Sequence, residues 1–275
     1  MSLKELAKLN LRGGREFMVA PQDGLRDWAA AQGLPLRQAM EKALEQGIFP
    51  EVLESNFPHL TPAQQLTLWR SSALVVGLGG LGGCQAMLLA RAGVGRLYLA
   101  DGDSFEARNF NRQLLATTLT LGQNKALVTA RYLREVNAGL IIEAIPEFLD
   151  QGRLREILPK VGVLLDGLDT LKARRELFAT AKAGGVPVVH GAVRGSFGQV
   201  TTIMPQDPPE FILSLQPAHS GPETGPGVLA PAVTLTASLQ AHEAIRLLLG
   251  KEPCYHRRLA HFDGDTGHLE FMRLG

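Results

Sequence analysis

Five glycines crowd one stretch of this chain, ALVVGLGGLGG, at Gly77, Gly79, Gly80, Gly82 and Gly83. Gly77, Gly79 and Gly82 keep the G-x-G-x-x-G spacing, which serves a tight turn, close approach of backbone to phosphate, and close packing of helix on strand. Bare N–H groups and the positive end of a helix dipole then face an anion. Asp101 ends the next apolar run, RLYLAD, roughly 20 residues past the turn, where a carboxylate takes ribose hydroxyls. The segment DGDSFEARNFNRQLL follows with Asp103, Asn109, Arg112 and Gln113, and Lys125 stands in LGQNKA. Two cations and two amides at one crevice suit a polyphosphate better than an uncharged nicotinamide. LLDGLDTLKARREL then puts Asp166 at a strand end and Asp169 just outside it. An exposed carboxylate there suits magnesium, a hard cation that takes one or two carboxylates together with substrate phosphates.

The elements that must position these groups alternate. Strands are predicted near 73–77, 96–101, 140–145, 161–166 and 186–190, with helices at 81–92, 123–136, 149–158 and 170–183, the order of a parallel sheet with crossover helices. After Gly191 the pattern changes. FGQVTTIM alternates polar and apolar residues as a half-buried strand does, and PQDPPEFILSLQPAHSGPETGPG is rich enough in Pro and Gly for an exposed crossing loop. An apolar helix over 230–249 follows, then RRLAHF and HLEFMRL around DGDTG, a hairpin pattern. The expected fold is α/β, a Rossmann-like doubly wound sheet, mostly parallel with antiparallel C-terminal strands. Residues 1–60 are expected to be a helical N-terminal extension, since LRDWAAAQG and LRQAMEKALEQG repeat apolar residues every three or four and end on Gly33 and Gly47.

Composition narrows the function classes. The 275 residues carry a formal net charge of +1 with acids and bases interspersed, which argues against nucleic acid or an anionic membrane as the main partner. The N-terminus lacks the uninterrupted apolar core of a signal peptide. LAPAVTLTASLQAHEAIRLLLG is long enough to span a bilayer but carries Gln240, His242, Glu243 and Arg246, so it reads as a buried or interface helix. The two cysteines, Cys84 and Cys254, form no Cys-x-x-Cys pair, which supports neither a disulfide framework nor thiolate zinc and fits a reducing cytoplasm. Cys84 reads as a small packed residue, His190 as a core histidine with a satisfied ring, and Arg174 as a structural ion-pair partner.

From about residue 60 onward the chain resembles the ThiF/MoeB/HesA family, bacterial relatives of ubiquitin-activating enzymes. The likeness rests on VVGLGGLGG, DGDSFEARNFNRQ, GQNKA, DGLDTLKAR, HGAVRGSFGQVTTI and GVLAPAVTLTASLQAHEAIRLLLG, in that order. It implies that residues 61–275 are an ATP-binding adenylation domain. In such a domain magnesium-ATP reacts with the C-terminal glycine of a small ubiquitin-fold sulfur carrier, giving an acyl adenylate and pyrophosphate. Gly77, Gly79, Gly80 and Gly82 would let backbone amides approach the nucleotide, and Asp101 would take the ribose. Asn109 and Gln113 would orient the phosphates, Arg112 and Lys125 would neutralise the departing pyrophosphate, and Asp169 would hold the metal. Asp103 belongs with the nucleotide-binding set as an ion-pair partner rather than a reactant. A homodimer is implied as well.

Three departures qualify the resemblance. The family's zinc-binding Cys-x-x-Cys pairs are replaced by PPEFILSLQP and a C-terminus without cysteine, so no zinc is expected. The loop from Gln206 to Gly227 lacks the cysteine some relatives use for sulfur chemistry, so the reaction should stop at the adenylate. PEVLESNF stands where the family has an Arg-Tyr-x-Arg segment whose arginine reaches the partner subunit's ATP. Arg12, Arg15, Arg26 or Arg37 would have to substitute for it. Alternatives are a nucleotide-binding scaffold with little turnover and activation of a modified tRNA base.

Overall fold

The computed structural model describes residues 2–208 and 227–274. An N-terminal module comprises α1 (Leu3–Leu6), β1 (Lys8–Arg12), β2 (Arg15–Ala20), α2 (Gln22–Ala31), α3 (Leu36–Glu45) and β3 (Ile48–Pro50). The two helices expected there are present. The three strands are an addition that apolar spacing did not signal, forming their own sheet in the order β1-β2-β3. The reason is local: β1 and β2 are only five and six residues long, and β1 is exposed along nearly all of its length, so little alternation is left to read.

The body follows with α4 (Pro62–Arg70), β4 (Ser72–Val76), α5 (Gly80–Ala92), β5 (Arg96–Ala100), α6 (Lys125–Val136), β6 (Ile141–Ile145), α7 (Gln151–Ile157), β7 (Val163–Asp166) and α8 (Leu171–Ala183). It closes with β8 (Val188–Arg194), β9 (Phe197–Ile203), a helix α9 (Ala230–Leu248), β10 (Arg258–Asp263) and β11 (His268–Arg273). One eight-stranded sheet runs β11-β10-β9-β8-β7-β4-β5-β6. Its pairs are parallel from β6 to β8 and antiparallel from β8 to β11, as the sequence predicts. The crossing loop expected between Gln206 and Gly227 lies almost wholly outside the described residues. Among the described residues, no helix is long and apolar enough to cross a membrane.

The sheet has helices on both faces because its strands bury alternate residues on opposite sides. Ala73 and Val75 join a core with α5, α6, α9 and the N-terminal module, while Leu74 and Val76 join a second one with α7 and α8. Arg37 fastens the module to the body. Its Nη1 donates to Gly95 O at 2.7 Å and its Nη2 to Trp69 O at 2.8 Å, with the guanidinium over the Trp69 ring.

Strands β4, β5 and β6 step in one direction along the sheet while β7 pairs with the other side of β4. A crevice opens at such a reversal, outside the carboxyl ends of the strands. The glycine turn after β4 sits there. Gly77 has φ +82°, and a Cβ on it would lie 2.7 Å from Gly167 O; one on Gly82 would lie 1.7 Å from Gly77 O. A Cβ on Gly79 would meet only the Gln113 amide, at 3.5 Å. Gly82→Ala is therefore expected to cost about 3 kcal/mol of stability, as backbone overpacking does. Gly79→Ala should leave the unfolding free energy within about 0.5 kcal/mol of wild type and be felt in ligand binding at the crevice instead. Paired denaturation and binding curves check this, and equal stability losses at the two sites would contradict it.

Candidate active site

The crevice is a cleft of about 850 Å³, lined at one end by Gly77, Gly79, Gly80, Asp101, Asp103 and Lys125. Arg112, Gln113 and Asp169 also line it. Two residues of the expected set, Gly82 and Asn109, do not. Gly82 is buried in the packing of α5 on the turn. Asn109 is buried too, and its Oδ1 accepts the Glu106 N–H at 2.9 Å, closing the short helical turn 107–109 that carries the wall. Asn109 thus shapes the cleft without facing it.

Asp101 directly follows β5, and its Oδ2 and Oδ1 accept the N–H groups of Leu78 at 2.6 Å and Asp103 at 2.8 Å. These two bonds tie the glycine turn to the following wall, and a carboxylate still has acceptor capacity left. Burial raises its carboxyl above the ordinary value, against the two N–H donors and nearby Lys125. Lys125 is the first residue of α6, and Asn124 holds that helix end. Its Oδ1 accepts Leu127 N–H at 3.1 Å, and its Nδ2 donates to Asp101 O and Asp103 O. The Lys125 side chain is 8 % exposed, with Nζ 3.1 Å from Asp103 Oδ2, so Asp103 is its ion-pair partner, as expected. Arg112 is half-buried and donates from Nη1 to Arg108 O and Asn111 Oδ1 at 2.9 and 2.8 Å. No carboxylate pairs with it among the described residues.

Gln113 bears on what the cleft would take. It is buried beside Gly79, and its Oε1 has no hydrogen-bond partner among the described residues. An orphaned amide in a cleft wall fits a polar ligand, and the open space at Gly79 fits one that approaches the backbone. Asp169 is exposed, and it is Thr170, without a side-chain cap bond, that occupies the N-cap position of α8. No group of three or more His, Cys, Asp or Glu is assembled around a metal position among the described residues. A single carboxylate is nevertheless the donor set for magnesium shared with phosphates.

Beneath the Asp169 loop lies a buried trio. His190 Nδ1 is 2.6 Å and Arg174 Nε 3.2 Å from Asp166 Oδ2, and Asp166 Oδ1 accepts Leu168 N–H at 2.9 Å. Arg174 also donates from Nη2 to Leu168 O. Burial alone would raise the Asp166 carboxyl, but Arg174, the His190 hydrogen bond and the Leu168 N–H outweigh it and hold it below its ordinary value. Burial pushes the His190 pKa down, against the Asp166 bond and with the charge of Arg174. The expectation of a satisfied ring needs correcting: Nδ1 is bonded, whereas the buried Nε2 has no partner among the described residues. Arg174 is the structural ion-pair partner expected. Cys84 is buried with its thiol raised by burial, as a packed residue should be.

The sequence profile of the ThiF family matches residues 53–275. The chain belongs to the ThiF family. Among its ThiF relatives, the sulfur carrier protein ThiS adenylyltransferase of Escherichia coli (strain K12) is 34 % identical over 214 residues, 76 % of this chain and 84 % of that protein. The molybdopterin-synthase adenylyltransferase of Haemophilus influenzae is 36 % identical over 217 residues, 76 % of this chain and 88 % of that protein. The fold matches E. coli MccB solved with ATP, with TM-score 0.69, 16 % identity, and coverage of 99 % of this chain and 96 % of that one. It also matches MccB in complex with N-formylated MccA, with TM-score 0.67, 17 % identity, and coverage of 99 % and 96 %. The ThiF profile begins at residue 53, after β3, so the whole N-terminal module precedes it.

Several cleft-lining side chains carry no weight in the sequence reading: Arg108, Phe148, Arg194, Phe197 and His261. Arg194 and Phe197 lie in the antiparallel β8–β9 corner, and the pairing of β9 with β10 sets His261 opposite Gln199, from where its ring stacks on Phe197 with centroids 6.0 Å apart. Phe148 had a usable signal, a large apolar residue in the polar loop segment PEFLD directly after a strand.

Proposed function

We propose that this chain is an ATP-dependent adenylyltransferase that activates the C-terminal glycine of a small ubiquitin-fold sulfur carrier ending in Gly-Gly. The observation that carries the reading is the convergence of Arg112, Lys125 and Asp169 on the one cleft that also holds the glycine turn and Asp101. Gly77, Gly79 and Gly80 admit the nucleotide backbone-close, with Gly82 and Asn109 holding the turn and the wall behind them. Asp101 takes the ribose hydroxyls, and the Gln113 amide NH2 donates to the phosphates. Asp169 holds the magnesium ion, which, when bound, offsets phosphate charge. A carboxylate oxygen of the carrier attacks the α-phosphorus as the bond to the β-phosphate oxygen breaks, and pyrophosphate leaves with the electron pair. No proton moves, so catalysis consists of position and charge.

The reading includes a cytoplasmic homodimer in which an N-terminal arginine reaches the partner's ATP. Arg37 is committed to the module contact, Arg12 pairs with Glu54 at 3.1 Å and Arg26 with Asp23 at 3.6 Å. Arg15 is exposed and has no ion pair among the described residues, which makes it the candidate. Exchange of labelled pyrophosphate into ATP, dependent on both carrier and magnesium, tests the reading. ATP binding without exchange for any carrier would leave a nucleotide-binding scaffold.

A second reading keeps the activation chemistry and changes the acceptor. The sequence match to the named adenylyltransferases covers 76 % of this chain, and the fold of MccB in complex with N-formylated MccA, at 17 % identity, takes in the N-terminal module as well, covering 99 %. Exchange stimulated by MccA and not by a ThiS or MoaD carrier would favour it.

A further inference from the structure

We infer that Phe148 is the platform on which the base of the nucleotide stacks. The inference rests on the nucleotide reading above and adds the part of the ligand that no residue so far accounts for. The order of strands dictates where the base must lie. Asp169 follows β7 and the glycine turn follows β4, so the phosphate and metal end belongs there; Asp101 follows β5, so the ribose belongs one strand further on. Along β7-β4-β5-β6 the next strand end is β6. It stands directly beside the Asp101 segment, since Asp101 N–H donates to Ile145 O at 3.1 Å.

Phe148 lies three residues past the end of β6 and lines the cleft. Its ring rests against Gly102, the residue after Asp101: a Cβ on Gly102 would come within 2.7 Å of Phe148 Cδ2. The ring is 73 % exposed, more than any other phenylalanine among the exposed large hydrophobics. The local fold does not require it to be so. Asp150 caps α7 by accepting Arg153 N–H at 2.7 Å, and Leu149 and Leu154 share one apolar cluster, supplying the hydrophobic contact that fixes a helix start. Phe148 is thus surplus to the helix, open to solvent, and one residue's breadth from the ribose-binding carboxylate. A flat π-face in that place suits a nucleobase, because stacking asks only for a ring and not for a hydrogen-bond pattern.

The test uses the full chain, calorimetry and tryptophan fluorescence, with ATP and inorganic tripolyphosphate as probes. Phe148→Ala is expected to weaken ATP binding about 5- to 150-fold and to leave tripolyphosphate binding within twofold of wild type. Phe148→Trp should keep ATP affinity, and its added emission should be quenched by ATP and not by tripolyphosphate. Equal ATP affinity for wild type and Phe148→Ala would overturn the platform while leaving the nucleotide reading intact. Quenching by tripolyphosphate as strong as by ATP would overturn it too. A wild-type chain that binds no ATP at all would instead bring down the nucleotide reading, and the platform with it.

Discussion

Lys125→Ala is expected to lower carrier-dependent pyrophosphate exchange about 10²- to 10³-fold, the usual loss when one preorganised donor to developing charge is removed. The side chain is almost wholly enclosed, and α6 begins on it, with the Asn124 side chain fixing the helix end by donating two hydrogen bonds and accepting one. It cannot swing away to solvent, so its charge is aimed at the cleft before any ligand arrives. Asp103 supplies the anion that such a cation needs, and the Asp103 side chain is itself 57 % exposed. A partly exposed pair contributes little to folding, about 0–1 kcal/mol. The loss should therefore appear in the rate and hardly in the denaturation midpoint. Lys125→Arg should recover only part of the rate, because a planar fork does not replace a compact ammonium at this spacing. A Lys125→Ala chain that unfolded several degrees early, or that exchanged at the wild-type rate, would contradict the assignment.

The second large effect falls on stability. Asp166→Ala should destabilise the fold by about 3–5 kcal/mol, because removing one member of a buried ion pair leaves the other charge uncompensated. Arg174 would be that charge, and the Leu168 N–H and His190 Nδ1 would lose their acceptor as well. For a chain of this size the melting temperature should drop by roughly 10 °C, which differential scanning calorimetry would register. The same trio sets a pH dependence whose sign follows from the two shifts. The depressed Asp166 contributes stability that is complete above its unfolded value, about 3.9, and is lost as pH falls through its lower folded value. His190 also has a lowered pKa, so the folded state prefers the neutral ring. Its contribution is complete above about 6.5, and stability declines as pH falls below that, since the unfolded chain takes up the proton first. His190→Gln should flatten the decline between pH 6.5 and 5. A wild-type stability that rises toward pH 5 would be inconsistent with a neutral buried ring.

Much of this site could be read from the chain because its parts are local. A glycine turn needs only its neighbours to bend and to bare its amides, so VVGLGGLGG located the glycine-lined wall of the cleft unaided. The acidic strand end at Asp101 and the helix start at Lys125 likewise follow from short runs of residue types, and period-two burial on two helix-covered faces made β4 to β8 visible as apolar runs. Sequence alone therefore determined the doubly wound sheet, its antiparallel C-terminal edge and the ThiF resemblance. What it could not determine depends on which distant backbone comes close. Asn109 belongs to the same motif as Arg112, yet only the packed structure turns one inward to hold a loop and the other to the cleft. Gly82 is needed because Gly77 lies against it, and Gly77 in turn faces Gly167, a contact across ninety positions of chain that spacing cannot express. Phe148 and His261 entered the cleft through strand pairing. Whether a side chain faces ligand, core or solvent is a property of its neighbours in space, and the tertiary structure alone supplies those.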